Sequence, residues 1–71
     1  MLTEKEKQFI GLMEEVDSET IWGLAISQVV ANPKPHLVRR LIVSLKEQAN
    51  DCYEVMLSII GEPGMKCLQK L

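Results

Sequence analysis

Residues 35–60, PHLVRRLIVSLKEQANDCYEVMLSII, decide how this chain folds. Within them Val38, Ile42, Leu45, Ala49, Cys52, Met56 and Ile59 follow one another at alternating steps of four and three. That is the heptad rhythm, which keeps one apolar stripe of a helix turned toward a partner helix. Pro35 suits the first helical position, where its missing N–H removes no bond. Gly61 and Pro63 close the pattern with the residue types that terminate helices. The spacing therefore predicts one helix over 35–60, about 39 Å long at about 1.5 Å per residue. Leu41, Tyr53, Val55, Leu57 and Ile60 flank the stripe and widen it beyond what a two-stranded coil covers. A rod of that length is more than the rest of a 71-residue chain can wrap. The seam is therefore expected to meet a second copy, in a homodimer or a higher oligomer.

Upstream, Thr3 and Glu6 stand in the T-x-x-E relation of a capping box, in which each side chain satisfies a backbone donor of the other. Phe9, Met13 and Val16 then recur on one helical face, giving a first helix near 3–16. Asp17 or Ser18 is expected to cap a second helix, near 18–31. Ile21, Trp22, Leu24, Ala25, Ile26, Val29 and Val30 cover most of its circumference. Such a helix is normally buried on several sides, with Trp22 as its main anchor and Gly23 marking a close backbone approach. Asn32-Pro33-Lys34-Pro35 ends it, because proline disfavours the helical conformation in the residue before it. Met65, Cys67, Leu68 and Leu71 fit a last turn or two, frayed or docked in an assembly. The expected fold is all-α: a three-helix bundle with a short C-terminal turn, one domain over 1–71, completed by oligomerisation through the third helix.

Composition narrows the class. Hydrophobic residues make up 46% and charged residues 25%, which belongs to a globular chain rather than a disordered one. Phe9, Trp22 and Tyr53 are the only aromatics, so the core must be aliphatic. A core this small rarely supplies more than about 3–5 kcal/mol on its own, a further reason to expect burial between copies. Cys52 and Cys67 with a single histidine match no zinc spacing. They are expected to be free thiols; a disulfide would require the C-terminal segment to fold back on the third helix. The opening Leu2-Thr3-Glu4-Lys5-Glu6-Lys7 lacks the organisation of a secretory signal. No apolar run approaches the length of a membrane span. A cytoplasmic protein with no metal or cofactor is the expectation.

Charge divides unevenly. Residues 1–32 hold six acids against Lys5 and Lys7, a balance of −4, and residues 33–71 balance at +2. The densest basic group, Lys34, His36, Arg39 and Arg40, sits at the start of the third helix. Free backbone N–H groups there favour anions, so the group is a candidate site for phosphate, nucleic acid, an acidic protein surface or a small anion held between subunits. The plainer reading is a solvated face, or pairing with the acids of 14–19. His36 has no orienting partner or nucleophile nominated by the sequence. Ser18, Ser27, Ser44 and Ser58 lack a nucleophile elbow, and no glycine-rich phosphate loop is present. The chain reads as a non-enzyme.

The opening Leu2-Thr3 with its nearby Glu4, together with His36, Leu37 and the pair Arg39-Arg40, resembles the LuxR/GerE-type helix-turn-helix domain over about 45 residues. That resemblance implies a DNA-binding regulator using Lys34, His36, Arg39 and Arg40. Pro33 and Pro35 depart from it by interrupting the stretch where the recognition helix runs, and the net charge of −2 works against phosphate-driven affinity. The leading expectation is a small protein-interaction or regulatory module (an inhibitor, adaptor or accessory factor), acting through helical surface as a homo-oligomer with a protein partner. Nucleic-acid binding is the alternative.

Overall fold

The computed structural model describes all 71 residues as four α-helices and no strand. The first, α1, spans Glu4–Met13. Its capping box forms as the spacing requires: the Glu6 N–H donates to Thr3 Oγ1 at 3.1 Å and the Thr3 N–H to Glu6 Oε1 at 2.8 Å. Phe9, Ile10 and Met13 then bury the inward face.

The second helix, α2, spans Ile21–Ala31. Thr20 caps it, rather than Asp17 or Ser18, by accepting the Gly23 N–H at 2.8 Å. Asp17 instead accepts the Glu19 N–H through Oδ1 at 2.9 Å, an Asx turn that tightens the loop. This loop presses so closely on α2 that a Cβ at Gly23 would lie 1.7 Å from the Asp17 carbonyl oxygen. Asn32 closes the helix ahead of Pro33, with its N–H donated to the Val29 carbonyl.

The third helix, α3, starts at Pro35 and ends at Asp51, with Val38, Leu41, Ile42 and Leu45 buried. The expected rod is broken there. Cys52 takes φ −150° and ψ 85°, outside the helical region, and α4 runs separately over Tyr53–Gln69. The longest dimension of the chain is 31 Å, too short for a straight helix of 26 residues at about 1.5 Å each. The break falls after Asn50, Asp51 and Cys52, three weak helix formers in a row. The heptad rhythm survives it because both segments turn their apolar sides to the same interior.

Gly61 redirects the chain once more. Its φ of 76° with ψ of 171° is essentially open to glycine alone, so the expected stop is real. The residues beyond it are more than a frayed turn: 62–69 continue as helix, and Met65 and Leu68 are almost wholly buried. This segment returns to α3, where Lys46 Nζ donates to the Leu71 carbonyl oxygen. The chain thus covers α3 with its own C-terminal helix as well as α2, while α1 packs on α4. Phe9, Met13, Ile26, Leu45 and Met56 form the centre of the core. The radius of gyration, 10.8 Å, matches the roughly 11 Å of a compact chain this long.

Candidate functional site

The α3 seam offers little outward surface. Val38, Ile42, Leu45 and Met56 lie within the chain's own core, while Ala49, Cys52 and Ile59 are half-buried at its edge. An interface on that stripe rested on an unbroken rod. With the rod folded at Cys52 and Gly61, the part of the stripe on α3 is packed against α4 and, to a lesser extent, α2.

The basic residues at the start of α3 are all exposed, and Arg39 and Arg40 line one shallow groove with Val43 and Ser44. The Arg39 guanidinium turns to α1, where Nε donates to Glu6 Oε2 at 3.2 Å and Nη2 to the Met1 carbonyl oxygen at 3.0 Å. Its carboxylate partner is that of the capping box, not the acids of 14–19, and the Arg39 side chain stays half exposed. The Thr3 backbone N–H, aided by Arg39, holds the Glu6 carboxyl below the usual glutamate range against the opposing pull of desolvation. Lys34, His36 and Arg40 remain exposed, and none of them is in an ion pair. Lys34 occupies the cap position of α3 without a side-chain bond to it.

The surface that stands out lies on α2. Its eleven residues, IWGLAISQVVA, include no charged side chain, yet only Gly23 and Ile26 are buried. Ile21 is 90% exposed and Leu24 51% exposed. Trp22, Val29 and Val30 are half-buried against the core, so Trp22 edges this face rather than anchoring the interior. The stripe Ile21, Leu24, Gln28 and Ala31 points outward along the whole helix. Composition alone places α2 in the interior, where an all-round apolar helix normally belongs. The same composition equally marks a helix whose cover comes from another molecule.

The remaining concavities are shallow grooves. The roomiest, about 500 Å³, lies between α1 and the end of α4, beside Gln8, Leu12, Pro63 and Cys67. Cys52 and Cys67 are both free thiols, although the C-terminal segment does fold back. No helix is long and apolar enough to cross a membrane. No protein-family model matches the chain, and no curated protein or solved structure is significantly similar to it.

Proposed function

We propose that this chain is a small, non-enzymatic protein-interaction module that works through the outer face of α2 and does so as a homo-oligomer. The supporting observation is the mismatch on that helix between composition and burial. Eleven consecutive residues avoid charge, and Ile21 stands almost fully in solvent. Burying an Ile or Leu side chain gains about 1.5–3 kcal/mol relative to exposure. A surface helix free of charge carries that gain unused until another chain covers it. An inhibitor, adaptor or accessory role fits a chain that offers helical surface in place of a reaction centre.

Sedimentation velocity on the wild type and on Ile21→Glu/Leu24→Glu tests this. Both positions are exposed, so the variant is expected to keep its helical circular dichroism. The wild type should sediment above the 8.0 kDa of one chain, and the variant at that mass. Equal oligomerisation of both proteins removes α2 as the contact surface.

A further inference from the structure

The two ends of α2 carry opposite charge, and neither end is satisfied within the chain. At its N-terminal end lie Glu14, Glu15, Asp17 and Glu19, all exposed. The loop bearing them is fixed to the first turn of α2 by the Asp17 carbonyl packed on Gly23 and by the Asp17 carboxylate accepting the Glu19 N–H. At the other end lie Lys34 and His36, set by the tight link in which the Lys34 N–H donates to the Asn32 carbonyl oxygen at 2.8 Å. The ion pairs of the chain are Glu4 with Lys7, Glu6 with Arg39 and Glu62 with Lys66, so neither cluster has an ion-pair partner. The eleven residues between them span about 16 Å of helix, roughly twice the Debye length at physiological salt. They cannot pair with each other in one copy.

A two-fold axis solves this. In an isologous contact, residue i of one copy meets j of the other and j meets i. We infer that two copies pair through α2 in antiparallel orientation, with Glu19 of one copy facing Lys34 of the other at both ends of the contact. This rests on α2 being the contact face between copies and goes beyond it by fixing the direction of the pair and the charged residues that meet at its ends. The register is consistent along the helix. Opposing Ile21 to Ala31 and Leu24 to Gln28 centres the axis on residue 26, and Glu19 and Lys34 lie two and three residues beyond the two ends of α2, so each end of one copy meets the opposite end of the other. Each large side chain then meets a smaller or more pliant one. A parallel pair would set acid against acid and lysine against lysine. Antiparallel packing also places each helix dipole against its opposite.

Charge reversal tests the direction. Glu19→Lys and Lys34→Glu each create like-charge contacts at both ends of an antiparallel homodimer, and each is expected to weaken self-association about tenfold. Mixed in equal amounts, the Glu19→Lys chain presents Lys at both ends to the Glu of the Lys34→Glu chain, so a heterodimer of wild-type affinity should form. The doubly reversed chain should dimerise alone, which shows that neither substitution acts by unfolding. Labelling one variant and following its sedimentation in the mixture reads this directly. A mixture that stays monomeric overturns the inference. Tighter association of Glu19→Lys with wild type than of wild type with itself also overturns it, in favour of a parallel pair. Either failure leaves the α2 face standing if Ile21→Glu/Leu24→Glu still dissociates the oligomer. If that variant does not dissociate it, the face itself is wrong.

Discussion

The carboxylate of Glu6 accepts the Thr3 N–H through Oε1 and the Arg39 Nε–H through Oε2, joining the start of α1 to the side of α3. Its depressed pKa means the unfolded chain binds a proton more readily than the folded one. Stability from this site is therefore present above the ordinary glutamate pKa and is lost as pH falls through the folded value. Glu6→Gln should lower the urea midpoint at pH 7 and flatten its fall between neutral and acid pH; an unchanged slope would remove Glu6 from the acid response. Gly23 makes the second local prediction. A Cβ there would sit 1.7 Å from the Asp17 carbonyl oxygen, so Gly23→Ala must displace the loop or the helix. A loss of about 1–3 kcal/mol in urea denaturation is expected, the usual cost of overpacking. The capping box could be read directly from Thr3 and Glu6, because its chemistry is local. The fate of Arg39 could not: it adjoins Arg40 in sequence, and only the position of α1 tells which of the two finds a carboxylate.

The helices show where periodicity informs and where it misleads. Pro35 begins α3 and Gly61 interrupts α4 as their local chemistry dictates. The break at Cys52 leaves no trace in the heptad pattern, because a pattern of side chains records which face is apolar and not whether the backbone beneath is continuous. Asn50, Asp51 and Cys52 were the available signal, through weak helix propensity. The C-terminal segment follows from this: once α3 ends early, Met65 and Leu68 reach its uncovered side. Leu68 is 1% exposed, so Leu68→Ala should destabilise the chain by about 2–5 kcal/mol, as for other buried leucines. A cost near zero by chemical denaturation would mean that this segment does not belong to the core.

The assembled chain resolves the greasy third-helix stripe internally and leaves a different surface uncovered. The proposed self-association therefore lies on α2, where Ile21 and Leu24 stay exposed. Composition could flag α2 as too apolar for a solvated helix. It could not say whether α1, α3 and α4 would suffice to cover it, since that depends on where the chain turns. In the proposed dimer α2 is the place where copies meet. Amide hydrogen exchange followed by mass spectrometry as a function of protein concentration locates such a contact, because protection reports the opening of each segment. Exchange in residues 21–31 is predicted to slow as concentration rises, while α1, the core of α3 and 62–69 keep their rates. Protection that does not vary with concentration in α2, or that grows along α3 instead, would contradict it.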